Sequence, residues 1–325
     1  MDSAAKPVVC IVTPGTRDAN NGNWRTAARW AQMLRARYRI IVQSEWRGEG
    51  ADALIALHAR RSADSIARFR DRPGASPLAV VLTGTDLYKD LPESREAARS
   101  LDLADLIVVL QEDAPHLLAR SWREKCQVIF QSASALRRRA KAHARLDCVV
   151  VGHLRAEKDP RTLFNAIRLL PQDLEISIRH IGAALDPGLG REARELQAED
   201  LRYHYAGALP RGLARAAMAR AHVLIHPSVV EGGANVVVEA VTGGTAVIAS
   251  RISGNLGMLG RDYPGYFEPR DESGLAARLV QAAGDPRYRR ALEAAAAKRK
   301  PLFAPAAEAR AIRRLAEILL TQGRR

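Results

Sequence analysis

Residues 223–240 read Val223-Leu224-Ile225-His226-Pro227-Ser228-Val229-Val230-Glu231-Gly232-Gly233-Ala234-Asn235-Val236-Val237-Val238-Glu239-Ala240. The first three form a short apolar, β-branched run that reads as a buried strand, and a helical pattern begins near Asn235. Between them lies a glycine loop. Gly232 and Gly233 let the backbone come close to a ligand. The helix start turns unpaired N–H groups and a positive dipole end toward the same place, which suits a diphosphate. Glu239 falls one turn into the helix, on the face of Asn235, and Glu231 stands in the loop, so two carboxylates flank the proposed phosphate position. Each carboxylate accepts hydrogen bonds from sugar or ribose hydroxyls. A capping loop with an exposed glutamate is the plainer alternative for a Gly-Gly pair taken alone.

The same strand, loop and helix sequence recurs outward from this stretch in both directions, which is the signature of βαβ units and a parallel sheet. Strands are expected at 8–14, 39–43, 53–58, 78–83, 106–110 and 127–131, with helices at 24–37, 62–71, 93–101 and 113–123. Periodicity lapses over the basic, alanine-rich stretch 133–145 and restarts with a strand at 148–152. Further strands are expected at 175–181, 203–205, 223–225 and 246–249, with helices at 160–170, 190–199, 214–221 and 235–242. The expected fold class is α/β, with two doubly wound, Rossmann-like domains at 1–140 and 146–300. In such sheets ligands lie beyond the carboxyl ends of the strands, so a cleft between the domains is the expected site. An amphipathic helix at 306–320 is expected to pack back on the first domain.

A chain of 325 residues is long for one core and comfortable for two. The hydrophobic fraction of 47% contains no run of the length a membrane span needs, so no stable membrane insertion is expected. The opening residues read as a first strand and not as a cleavable leader, which leaves the cytoplasm as the expected location. Fifty basic against thirty-six acidic residues give a net charge of +14. That charge suits nucleic acid, an anionic membrane surface or phosphorylated substrates, and its sign alone does not choose among them. The arginines are scattered along helices, and only Arg137-Arg138-Arg139-Ala140-Lys141 forms a block, so no nucleic-acid partner is expected. Cys10, Cys126 and Cys148 are too few and too far apart for a disulfide framework or a zinc site, and they read as small core residues.

A second cluster, Val151-Gly152-His153-Leu154-Arg155-Ala156-Glu157-Lys158-Asp159-Pro160, follows the first strand of the second domain. Arg155 and Lys158 there are placed to neutralise a leaving diphosphate. In the first domain the loop after the first strand holds Gly15, Thr16, Arg17, Asn23 and Arg25. The loops after the third and fourth strands hold His58, Arg60 and Arg61, then Thr83, Gly84, Thr85 and Asp86. Arginines, hydroxyls and backbone donors of this kind suit an anionic acceptor. No His, Cys and Asp spacing points to a metal.

With these residues assembled, the chain resembles GT-B glycosyltransferases of the family 4 type over nearly its whole length. The resemblance is carried by the spacing of Glu231 and Glu239 and by Gly152-His153-Leu154-x-x-x-Lys158, which is similar to that family's G-R-L-x-x-x-K-G loop. It implies that Glu239 holds the ribose hydroxyls and Glu231 the donor sugar. Gly232, Gly233, Ala234 and Asn235 would supply backbone contacts, and Lys158 would hold the diphosphate. His153 stands where the family has arginine, so either His153 or Arg155 takes that phosphate contact. Thr85 stands where the family has a histidine after the fourth strand.

A closer resemblance is to the selenosugar synthases of selenoneine biosynthesis. It runs through Leu57-His58-Ala59-Arg60-Arg61-Ser62, Leu82-Thr83-Gly84-Thr85-Asp86-Leu87-Tyr88, Gly152-His153-Leu154-Arg155, Glu231-Gly232-Gly233-Ala234-Asn235 and Ser250-Arg251-Ile252-x-Gly254-Asn255. That family joins a UDP-sugar, typically UDP-N-acetylglucosamine, to selenium delivered as selenophosphate. The resemblance implies a carbon–selenium bond-forming transferase with Arg155, Lys158 and Glu231 as catalytic residues. It also implies no metal or other cofactor, and an acceptor side built on Arg17, Arg25, Arg60 and Arg61. The alternative of the same class is a transferase acting on a lipid or polysaccharide. A nucleotide- or nucleic-acid-binding protein without catalysis is the alternative from another class.

Overall fold

The computed structural model describes residues 5–15, 22–74, 76–136, 141 and 144–322. It divides the chain into two units. Unit 1 comprises Met1–Gln131 and Pro305–Arg325, and unit 2 comprises Ser132–Ala304.

Unit 1 carries six parallel strands: β1 (Val8–Val12), β2 (Arg39–Gln43), β3 (Ala53–Leu57), β4 (Leu78–Val81), β5 (Leu106–Val109) and β6 (Cys126–Val128). Their order is β2-β1-β3-β4-β5-β6. The helices are α1 (Gly22–Leu34), α2 (Ala63–Arg70), α3 (Arg95–Leu103) and the short α4 (Arg120–Arg123). Because side chains alternate along a strand, Val9 and Ile11 join a core with Trp30 and Leu34, while Cys10 and Val12 join another with Phe69 and Leu101. Both faces of the sheet are covered, which is why its strands are unbroken apolar runs. The helix Pro305–Gln322 belongs to this unit and contributes Ile312, Leu315 and Leu319 to the first core. Its Glu308 accepts from Trp30 Nε1 at 2.7 Å and from Arg29 Nε at 2.8 Å.

Unit 2 repeats the plan with β7 (Leu146–Val151), β8 (Ile176–Ile181), β9 (Tyr203–Tyr205), β10 (Val223–His226), β11 (Ala246–Ser250) and β12 (Tyr266–Phe267), ordered β12-β11-β10-β7-β8-β9 and all parallel. Its helices are α5 (Pro160–Arg168), α6 (Pro187–Glu199), α7 (Arg211–Arg220), α8 (Asn235–Gly243), α9 (Ser253–Leu259), α10 (Glu272–Gly284) and α11 (Pro286–Arg299). The strand order reverses between β7 and β10, and the loops that follow these two strands carry the residues singled out above.

Several expectations differ from what is found. Residues 132–136, expected in the first domain, belong to unit 2, where Ala133 N–H reaches Phe303 O and Leu136 lies against Gly243. The basic block 137–141 lies outside the described residues except for Lys141, whose Nζ meets Glu293 at 2.7 Å. The helix expected at 113–123 is a 3-10 turn, Ala114–Leu117, followed by α4. Leu118 and Ala119 between them are extended, which interrupts the helical ladder. β12, α9, α10 and α11 carry no expectation from the pattern reading. α11 is so rich in alanine and arginine that its buried stripe reduces to Tyr288, Leu292 and Ala296.

Candidate active site

In unit 2 the loop after β10 and the loop after β7 are tied to each other by the backbone, with Val229 N–H donating to Glu157 O at 3.0 Å. This sets Glu231 against Lys158, whose Nζ bonds Glu231 Oε1. His226, the last residue of β10, puts its Nε2 3.3 Å from the same oxygen. Burial pushes the Glu231 carboxyl up, but the Lys158 ammonium and the His226 ring outweigh it and hold the group well below the usual carboxylate range. Glu231 is therefore a fixed anion, with 11% of its side chain exposed. The loop is backed by α9, where a Cβ on Gly254 would stand 2.1 Å from Glu231 O, so only glycine permits this approach. Asn255 Nδ2 donates to Ser250 O at 2.9 Å, and Ser250 Oγ donates to Ser228 O, which fastens the start of α9 to the loop.

Helix α8 begins at Asn235 with Ala234 in the cap position, and no side chain caps it. Alanine has no acceptor to offer there, so the helix start keeps its donors for a ligand. Glu239, 8% exposed, accepts from Arg211 Nη2 at 2.6 Å and Nε at 3.1 Å, and Arg215 Nε lies 3.8 Å away. All three contacts fall on Oε1. Each of the two expected carboxylates thus has its own cationic partner.

Gly152 is held from behind. A Cβ on Gly182 would stand 1.9 Å from Gly152 O, and His180 Nε2 lies 3.2 Å from that oxygen while its Nδ1 lies 2.8 Å from the Tyr203 hydroxyl. The Lys158 stem crosses in front, 3.6 Å from where a Gly152 Cβ would be. The exposed His153 spends Nδ1 on Ala183 N–H at 3.0 Å. Arg155, half exposed, approaches Glu157 at 3.9 Å. Gly232, Gly233 and Ala234 lie in the loop between Glu231 and α8, as expected.

In unit 1 the loops after β3 and β4 are joined by Asp86. Its carboxylate, fully enclosed, accepts from the N–H groups of Thr83 and Gly84, both at 2.8 Å, from Ala59 at 3.1 Å and from Leu87 at 3.2 Å. The expectation that Asp86 faces an acceptor is corrected: the carboxylate turns inward because backbone donors of both loops converge on it, those of Thr83, Gly84 and Ala59 most closely. Thr83 and Gly84 gather around it, and His58, Thr85 and Arg60 stand at the same pair of loops. His58 has φ 74° and is 2% exposed. Its Nδ1 accepts the Arg61 N–H at 3.3 Å, and its Nε2 lies 3.2 Å from Thr85 Oγ1 and 3.7 Å from Asp90 Oδ2. Burial pulls its pKa below the ordinary histidine value, against the pull of Asp86. Arg60 Nε meets Asp90 Oδ1 at 3.0 Å. Gly15 is buried after β1, and Asn23 and Arg25 stand in the first turn of α1. Thr16 and Arg17 lie outside the described residues.

His226, Arg211 and Asp90 escape the sequence reading. His226 ends a strand just before the glycine loop, a position that marks it in hindsight, whereas nothing in the pattern links Arg211 to Glu239, 28 residues on. Among the described residues no group of three or more His, Cys, Asp or Glu is arranged to hold a metal ion. No described helix is long and apolar enough to cross a membrane.

With the geometry established, comparison with known proteins adds the following. The family model for glycosyl transferases group 1 matches residues 135–299. No curated protein matches the chain. Among solved structures, the chain is similar to sucrose-phosphate synthase from Thermosynechococcus elongatus, with a TM-score of 0.79 at 16% identity, over 98% of this chain and 100% of that one. It is similar to Anabaena HepE in complex with UDP and glucose, with a TM-score of 0.72 at 16% identity, over 96% and 99% of the two chains. It is also similar to S. aureus TarM in complex with Fondaparinux, alpha-GlcNAc-glycerol and UDP, with a TM-score of 0.64 at 13% identity, covering 82% of this chain and 55% of TarM.

Proposed function

This chain belongs to the glycosyl transferases group 1 family, and from that premise we propose that it transfers a sugar from a UDP-sugar, UDP-N-acetylglucosamine, to selenophosphate. The fold is α/β with two parallel-sheet, Rossmann-like domains of the GT-B type. The observation that carries the donor half is the pairing of Lys158 with Glu231 beside the uncapped start of α8. An ammonium and a helix N-terminus together receive a diphosphate. The complex of HepE with UDP and glucose, in a similar fold, supports a UDP-sugar as the ligand.

In this reading Glu239 takes the ribose hydroxyls, exchanging its bond to Arg211 for them, and Glu231 takes a hydroxyl of the donor sugar. Gly232, Gly233, Ala234 and Asn235 supply backbone contacts. Lys158 and Arg155 neutralise the leaving UDP, and Arg155, a permanent cation that is half exposed, takes the phosphate contact in preference to the neutral ring of His153. Charge stabilisation then falls to side chains and the α8 dipole, so no metal is assigned. Selenium bonds to the anomeric carbon as the bond from that carbon to UDP breaks, and the electron pair leaves with UDP. Water then takes the phosphoryl group as phosphate, leaving the sugar selenol. The acceptor half is supported by the resemblance of Leu57 to Ser62, Leu82 to Tyr88 and Ser250 to Asn255 to the selenosugar synthases. A cytoplasmic location, with its supply of sugar nucleotides, belongs to the same proposal.

The test is mass spectrometry of products after incubating the protein with UDP-N-acetylglucosamine, fresh selenophosphate and a chelator. A selenium-bearing hexosamine with UDP is the expected result. UDP-sugar binding with no selenosugar would overturn the acceptor and direct the search to lipid or polysaccharide acceptors.

A further inference from the structure

At the carboxyl ends of β3 and β4, three side chains of unit 1 fix the position of one proton. His58 Nδ1 accepts the Arg61 N–H at 3.3 Å, and a ring nitrogen that accepts carries no proton. In the neutral ring the proton is therefore on Nε2. Two oxygens face it: Thr85 Oγ1 at 3.2 Å and Asp90 Oδ2 at 3.7 Å. Asp90 Oδ2 is enclosed and has no hydrogen-bond partner, while Oδ1 of the same group meets Arg60. An anionic oxygen beside the Nε2 edge favours the proton there. The backbone keeps the ring in place at a cost, because φ is positive at His58, a conformation uncommon outside glycine that collects at functional sites. The π-helical turn Asp86–Asp90, also a recurrent feature of such sites, brings Asp90 back to the ring.

The consequence falls on Thr85, which is exposed. Its oxygen accepts from His58 Nε2–H, so its own proton points away from the ring. An arrangement that activates a hydroxyl for attack has the opposite polarity, with a bare ring nitrogen taking the hydroxyl proton. We infer that Thr85 is a fixed hydrogen-bond donor to an oxygen of a phosphate-bearing acceptor, with His58 and Asp90 as the positioning residues that hold it in that polarity. This rests on the reading of these loops as the acceptor side. Arg60, neutralising Asp90 at the same edge, removes the charge that would repel an oxyanion.

Binding of inorganic thiophosphate, followed by its phosphorus NMR linewidth with UDP present, tests this without requiring turnover. Thr85→Ser retains binding. Thr85→Val weakens it about 10-fold or more, as losing a hydrogen bond to a charged group does. His58→Asn tolerates the positive φ, and its carbonyl can accept the Arg61 N–H, but its NH2 falls short of the Nε2 position and does not reach Thr85. It weakens binding like Thr85→Val, and the double variant is no worse than either. Because Thr85 is exposed, Thr85→Val decides the matter even if His58→Asn folds poorly. Thiophosphate binding by Thr85→Val within twofold of the wild-type protein overturns the inference, as does no binding by the wild-type protein. If the binding pattern holds while no selenosugar forms, the inference stands and the selenophosphate assignment falls. If selenosugar forms and Thr85→Val leaves the KM for selenophosphate unchanged, the inference alone falls.

Discussion

Lys158 and Glu231 are bound to each other across 73 residues of sequence, in the loops that follow two adjacent strands of one sheet. A cation expected at the diphosphate and an anion expected at the sugar are thus one unit. Breaking either half leaves the other charge largely enclosed without its partner. Lys158→Met is expected to lower turnover by about 100-fold or more, a loss in the range of a lost electrostatic contact to developing charge. It should also lower stability by about 1–3 kcal/mol. The double variant Lys158→Met with Glu231→Gln should recover part of that stability and none of the activity. Urea denaturation and steady-state kinetics check both; equal destabilisation of single and double variants would show the pair to be uncoupled.

The acid dependence follows from the same pair. Since the folded state holds the Glu231 carboxyl below its ordinary value of 4.5, its stabilising contribution is full above that pH and is lost as pH falls further, through the folded value. The difference in unfolding midpoint between the wild-type protein and Glu231→Gln should be constant from pH 7 to 5 and shrink only in more acid solution. A difference that disappears near pH 6 would contradict the assignment.

Gly254→Ala is expected to cost about 1–3 kcal/mol by overpacking, because the new Cβ meets the Glu231 backbone. UDP affinity should fall about 10-fold with it. Gly50→Ala, where nothing stands within 4 Å, is the matched control and should change neither. Calorimetric titration with UDP separates the two.

Glu308→Gln keeps an acceptor for Trp30 but leaves Arg29 without its anion. We expect a loss of about 1–3 kcal/mol, read from the urea midpoint. UDP affinity, a property of unit 2, should stay within twofold. Detachment of the helix would show as a red shift of tryptophan emission.

Much of this was legible because apolar strands and glycine loops announce themselves locally. The sequence around Glu231 carries its own strand, loop and helix, and the structure places all three there. Arg211 was not legible, since its link to Glu239 depends on how α7 lies beside α8. Asp86 misled for a related reason: an aspartate after a strand looks the same whether it faces a ligand or caps its own turn. The difference lies in the four backbone donors that the turn happens to present to it. The sequence places His58 in the loop after the third strand, but its tautomer is assignable only from the position of the Arg61 N–H.

The helix Pro305–Gln322 completes a core whose other members all precede residue 132. On the ribosome, unit 1 is therefore begun first and finished after unit 2 has emerged. Until then, the faces of Trp30, Leu34 and Ile55 that Ile312, Leu315 and Leu319 will cover have only water or a chaperone against them.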